Sequence, residues 1–245
     1  MRGGREGVRR PEAEAGRPGD ESRRPTGAQL AIETSGAAGS LALAVEGTVV
    51  AQRLLAEPAG HAAALIPAAR GVLADTGKEV CDITGVVVGA GPGSFTGVRI
   101  AAAAAKALAA SLEVPLYPVS SLRAAAVAGQ PTPEGEREVR YVLFDGRRGR
   151  VYGAAYDVGA GAAVRVIGPH GGTILDVISG RPPVGTVFMG DGAIAHESMI
   201  GAAGFTVRPA PAGVPRADAL IACCTWVTAD PAAWEPEYVR EWRPG

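Results

Sequence analysis

Residues 89 to 100 read Gly89-Ala90-Gly91-Pro92-Gly93-Ser94-Phe95-Thr96-Gly97-Val98-Arg99-Ile100. They follow an apolar, strand-like run, Ile83 to Val88, and lead into an alanine-rich helical run, Ala101 to Ala110. A glycine-dense turn between a strand and a helix N-terminus can dock an anion or another stretch of backbone. Unpaired N–H groups point outward there, and the helix dipole adds partial positive charge. The spelling excludes two common phosphate sites. A Walker loop needs Gly-Lys-Ser/Thr, which occurs nowhere in the chain. A dinucleotide loop needs G-x-G-x-x-G, but the sixth place counted from Gly89 is Ser94 and from Gly91 is Thr96.

Other residues bear on chemistry. Asp145-Gly146-Arg147-Arg148-Gly149-Arg150 places three arginines in one hairpin, able to touch phosphate on RNA or a partner, or to stand as a solvated turn. His61 opens a helical run whose residue four places on, on the same face, is Leu65. This helix therefore offers one metal ligand at most, and His170 and His196 show no helical pairing with it, so no metal site is expected. The chain has no Cys–His couple near a glycine turn, no Ser-x-x-Lys and no G-x-S-x-G. Spacing assigns no acid–base pair and no catalytic residue. In the alanine helix, Arg99 and Lys106 lie seven apart and so nearly on one side. The small residues around them would let another helix approach closely, within the molecule or across an interface.

The elements that position these groups follow from periodicity. Leu30 to Ser35, Ser40 to Val45 and Thr48 to Leu55 read as strands, with Glu46-Gly47 as a hairpin turn. Pro58 to Thr76 reads as an amphipathic helix, with Ala62, Leu65, Ile66, Ala69, Val72 and Leu73 at helical spacing and Pro67 expected to kink or break it. Strand Ile83 to Val88, the alanine helix to about Glu113, strand Pro115 to Val119 and helix Ser120 to Ala128 follow. Gly129 to Gly135 is a linker candidate. Beyond it come strands at Arg140 to Asp145, Val151 to Asp157, Val164 to Ile167 and Val184 to Met189, then a helix from Ala217 to Thr228. The pattern alone supports mixed α/β.

Composition sets bounds. In 245 residues, 47% are apolar and 5% aromatic, so a core must be built from Ala, Val, Leu and Ile. A formal net charge of −1 argues against the whole chain being a nucleic-acid clamp. Three cysteines, two of them adjacent (Cys223, Cys224), give no disulfide framework and fit a reducing, cytoplasmic setting. No apolar run reaches the roughly 18 residues of a membrane span, the longest candidate being interrupted by Arg99 and Lys106. Residues 1 to 27 are rich in Arg, Glu, Gly and Pro and are expected to be a disordered extension without the apolar stretch of a secretory signal.

The string Gly91 to Arg99, GPGSFTGVR, resembles the signature of the TsaB (YeaZ) family, Gcp-like proteins of the actin/sugar-kinase type that act in tRNA threonylcarbamoyladenosine synthesis. The resemblance spans about residues 28 to 242. It includes His61 with its following Leu65 and Pro67, the stretch Asp145 to Tyr152, and Pro236-Glu237-Tyr238-Val239-Arg240. Glu33 stands where the family most often has Asp, and Gly146 and Arg150 where it has Ala and Glu. The resemblance implies a two-lobed, ribonuclease-H-like fold of the actin/sugar-kinase/Hsp70 superfamily. Residues 28 to 129 would form the first lobe and 130 to 245 a smaller, degenerate second lobe whose last helix may return to the first.

The same resemblance implies site residues. His61, Leu65, Ile66, Gly91, Pro92, Gly93, Ser94, Phe95, Thr96, Gly97, Val98, Arg99, Ile100 and Lys106 would form a subunit interface. On that reading, Ala102→Arg or Ala105→Arg should block pairing and spare the monomer. Thr34, Ser35, Gly190, Asp191 and Gly192 occupy positions that face nucleotide in superfamily kinases. The implied role is a non-catalytic scaffold that pairs with a TsaD-like catalytic subunit, recruits a TsaE-like ATPase and reaches tRNA through the complex. No cofactor would be bound by the chain alone, with ATP or ADP at the complex interface. A stand-alone ATP-dependent kinase or transferase, and a homodimeric interaction protein with no tRNA role, are the alternatives.

Overall fold

The computed structural model describes residues 24–55, 60–128, 136–159 and 162–237. The first sheet holds β1 (Ala28–Glu33), β2 (Gly39–Val45), β3 (Thr48–Leu55), β4 (Ile83–Gly89) and β5 (Leu116–Val119). Their order is β3-β2-β1-β4-β5. The first three pair antiparallel, and β1, β4 and β5 run parallel. Parallel pairing requires crossovers, supplied by helices α1 (His61–Ala74) and α2 (Phe95–Leu112). This is the ribonuclease-H-like arrangement. Side-chain alternation along β1 sends Leu30 and Ile32 toward α1 and α2, and Ala31 toward the opposite face.

The second sheet repeats the plan on a smaller scale. It holds β6 (Glu138–Arg147), β7 (Arg150–Gly159), β8 (Ala162–Thr173), β9 (Val187–Met189) and β10 (Thr206–Val207), ordered β10-β9-β6-β7-β8. Strands β6, β7 and β8 form an antiparallel meander, and β9 and β10 join parallel to β6. Helices α4 (Ile174–Ser179), α5 (Asp191–Ala195) and α6 (Glu197–Ala202) cover one face through Ile174, Val177, Ala193 and Ile200. The chain is thus a two-lobed α/β protein with a reduced second lobe.

Helix α3 (Ser121–Val127) lies between the sheets. Ala124 packs with the first sheet and helix α7 (Ala217–Cys223), while Leu122, Ala125 and Ala126 pack with the second sheet. Past α7 the chain runs back along the first lobe. Ala229 bridges Leu116 of β5, Trp234 packs on the first core, and the Lys106 ammonium donates to the Trp234 carbonyl at 2.9 Å.

Several expectations need correction. Helix α2 starts at Phe95, because the Ser94 hydroxyl caps it by accepting from the Gly97 N–H at 3.3 Å; half of the glycine-rich string is therefore helix. Its 18 residues have a mean hydropathy of 1.3, long and apolar enough for a membrane span, but one face packs in the first lobe through Val98, Ala101, Ala105 and Ala109. Helix α1 runs unbroken through Pro67. The carbonyl of Ala63 that the missing proline N–H leaves unbonded belongs to an exposed residue, where water can serve it. Helix α7 stops at Cys223, and β9 begins at Val187, leaving Val184 fully exposed.

The extension expected to reach residue 27 is anchored from Pro25 onward. The Gln29 side-chain amide donates to the Pro25 and Thr26 carbonyls, and the Gly27 N–H donates to the Glu46 carboxylate at 2.7 Å. Residues 1 to 23, the start of the Pro58 helix, the 129–135 linker and Tyr238 to Arg240 lie outside the described residues.

Candidate partner interface beside the glycine-rich turn

Strand β1 ends in a wholly buried carboxyl, Glu33. It accepts hydrogen bonds from the Ser35 N–H at 2.6 Å and the Ser121 hydroxyl at 2.8 Å. The Ser121 oxygen in turn accepts from the Gly91 N–H at 3.2 Å, and the Ser121 N–H donates to the Gly91 carbonyl at 2.9 Å. The Thr34 hydroxyl donates to the Gly97 carbonyl at 2.7 Å, and the Ser94 N–H donates to the Ser35 carbonyl at 2.8 Å. The Ala90 carbonyl accepts from the Glu237 N–H at 2.8 Å. Of the two uses open to such a turn, this one binds backbone: it knots β1, α2, α3 and the returning chain together. Two glycines permit the closeness. A Cβ on Gly89 would intrude on the Glu33 carboxyl, and one on Gly97 would overlap the Thr34 carbonyl oxygen.

The knot determines what the nucleotide-facing candidates are free to do. Thr34 is buried with its hydroxyl committed, and Ser35 is buried with a hydroxyl that has no partner among the described residues. Glu33 faces the interior behind Gly89 rather than a surface. In the other lobe, the Asp191 carboxylate accepts from the Asp145 N–H at 3.0 Å and the Gly192 N–H at 2.9 Å, so the turn after Gly190 is tied to the β6–β7 hairpin. Among the described residues no group of three or more His, Cys, Asp or Glu could hold a metal.

Burial raises the Glu33 pKa above the ordinary carboxylate value, and the hydrogen bonds from Ser35 and Ser121 oppose that shift. An acid raised on folding favours its neutral form in the native state. Its contribution is therefore full below its unfolded value and is lost as pH rises through its folded one. Glu33→Gln keeps the shape and cannot ionise, so its melting temperature should gain on the parent's as pH climbs from 4 to 8. Thermal melts across that range check this, and a variant that loses ground with rising pH would show that the ionised carboxylate is the favoured native form.

The outer surfaces of α1 and α2 have a different character. Ile66 is 64% exposed and Phe95 58% exposed, and the Arg99 guanidinium lies 3.8 Å from the centre of the Phe95 ring. Between the helices runs an apolar groove of about 420 Å³. Leu65, Ile66, Ala69, Ala104, Ala107 and Leu108 line its walls, and it reaches Leu30, Ile32 and Leu41 of the first sheet. Two helices that leave a core-lined groove open between them make a ready surface for a partner.

The expected interface residues divide. Ile66, Ser94, Phe95, Thr96 and Arg99 are exposed, Gly93 and Ile100 are half-buried, and Leu65 is a groove wall. Gly91, Pro92, Gly97 and Val98 are buried within the chain, so these four cannot meet a partner as expected, and Lys106 is half-buried with its ammonium donating to the Trp234 carbonyl. The His61 side chain lies outside the described residues. Ala102 and Ala105 are 5% and 0% exposed, so an arginine there would strike the core rather than a partner. Further outward positions include Ala103, Ala107 and Ala110 on α2 and Pro67 and Arg70 on α1, which sequence reasoning missed. Ser121 was also missed: its link to Glu33 spans 88 residues and leaves no local signal.

The fold defines a two-lobed α/β protein of the ribonuclease-H-like class. A profile of the family described as tRNA N6-adenosine threonylcarbamoyltransferase, TsaD, matches residues 54–186. The chain is 34% identical over 176 residues to the tRNA threonylcarbamoyladenosine biosynthesis protein TsaB of Bacillus subtilis, covering 70% of this chain and 74% of that one. It is 39% identical over 127 residues to the protein of the same name from Escherichia coli, covering 52% and 54%. A crystal structure from Pseudomonas aeruginosa, described as similar to peptidase YEAZ, superposes with a TM-score of 0.72 at 25% identity, covering 88% of this chain and all of that one. The chain belongs to the TsaB family.

Proposed function

We propose that the chain is a non-catalytic scaffold in the assembly that transfers threonylcarbamoyl to the adenosine next to the anticodon of tRNA. The observation that carries this reading is the open apolar groove between α1 and α2, with exposed Ile66 on its wall. The occupant proposed is a TsaD-like catalytic subunit. The profile of that family matches this chain from β3 to past α4, a span that includes both groove helices. A partner built on the same plan presents a comparable helix pair, and related surfaces pack on each other about a pseudo-two-fold axis. A TsaE-like ATPase joins the assembly, and ATP or ADP sits at the subunit junction rather than on this chain alone.

The groups a lone kinase would use support the same choice. Thr34 spends its hydroxyl on Gly97, and Glu33 is sealed inside the first lobe. The test is to mix the chain with the TsaD-like protein of the same source and read the mass by size-exclusion with light scattering. A heterodimer is expected. A homodimer alone, even with the ATPase and ATP present, would replace the scaffold with an independent interaction protein, and magnesium-dependent ATP turnover by the pure chain would restore the kinase.

A further inference from the structure

The β6–β7 hairpin carries charge that the fold does not use. Arg147 pairs with Arg150 across the strands, leaving Arg148 and Gly149 as a two-residue tip. Arg147, Arg148 and Gly149 all have positive φ, at 64°, 53° and 74°. Turns of this kind favour Asn, Asp and Gly, whose backbones tolerate the left-handed region. Here two of the three places hold arginine. Both side chains are exposed, so core packing does not call for them.

Five other arginines are held in salt bridges. Arg53 pairs with Asp75, Arg137 with Asp157, Arg140 and Arg208 with Glu138, and Arg216 with Asp218. Arg150 is within electrostatic reach of Asp176. Among the described residues, Arg147 and Arg148 form no salt bridge. The two acids beside them serve backbone: Asp145 accepts from the Arg147 N–H at 2.8 Å, and Asp191 accepts from the Asp145 N–H. These bonds fix the base of the hairpin to α5, so the two guanidinium groups stand on an anchored mount.

We infer that Arg147 and Arg148 form a contact for the phosphodiester backbone of tRNA. The inference rests on the proposed tRNA role and adds the element that touches the nucleic acid. Guanidinium groups suit phosphate by shape as well as charge, and backbone contacts orient an RNA without reading its sequence. A net charge of −1 requires such contacts to be local, and this tip is a local excess.

The test measures tRNA binding to the assembled complex by fluorescence anisotropy across a series of salt concentrations. Arg147→Ala with Arg148→Ala should weaken binding and flatten the log–log salt slope by about 2, one for each lost phosphate contact. Arg147→Lys with Arg148→Lys should restore most of the slope. Arg137→Ala, which removes one paired charge from the same lobe, should leave it unchanged. An unaltered slope in the alanine pair, or an equal change in the Arg137 control, overturns the inference. So does loss of assembly with the TsaD-like subunit while tRNA affinity persists, which would make the tip a protein contact. If the parent chain fails to join that subunit, the scaffold reading falls, and the same slope change is then required of the chain alone.

Discussion

A chain carrying Ile66→Asp and Ala107→Asp will fold as a monomer and fail to pair with the TsaD-like subunit. Both positions are exposed and both line the α1–α2 groove, so the carboxylates stay hydrated while the chain is alone. A partner seated in the groove would strip that water and offer no matching cation, a penalty of about 2–5 kcal/mol or more, enough to lower affinity about thirtyfold or more. Calorimetric titration against the partner, with a melt of the variant alone, reads both halves. Unchanged affinity would move the interface off this groove. Ala105→Arg provides the contrast. That side chain is wholly buried between α2 and the first sheet, and the variant will lose its cooperative melt before any partner is added.

Gly97→Ala will destabilise the chain by about 3 kcal/mol or more, the upper end of overpacking, lowering the melting temperature by roughly 10 °C for a protein this size. The new methyl overlaps the Thr34 carbonyl oxygen, a backbone atom at the end of a central strand that cannot rotate away. The shift would also pull the Gly97 carbonyl from the Thr34 hydroxyl. Gly201→Ala is the control. It lies in exposed α6 with nothing near its would-be Cβ, and should be neutral or stabilising by up to about 1 kcal/mol. Equal melts for the two variants would mean that the turn yields without cost.

The first lobe was readable because its signals are local. Leu30, Ile32, Leu41 and Leu43 alternate with small residues, and the strands they mark lie within two or three residues of the observed bounds. The phase of α2 was not readable. Alanine occupies both its buried and its outward faces, so hydropathy carries no contrast, and only contact with the sheet shows that 101, 102, 105 and 109 point inward. The short helices α4, α5 and α6 were missed because five or six residues cannot establish a 3.6-residue period. In the site, the string Gly91 to Arg99 marked the place but not its use. Its hydrogen-bond partners, Thr34, Ser35 and Ser121, come from two distant segments.

Helix α3 acts as a shim with two working faces. Most of its buried side chains are no larger than a methyl, and it packs between the second sheet and α7, which covers the first sheet. Opening the lobes like a clamshell would peel this helix from α7 or from the second sheet and expose alanine and leucine that water does not favour. The lobes are therefore joined through a seam of small side chains, and any change in the angle between them must repack α3.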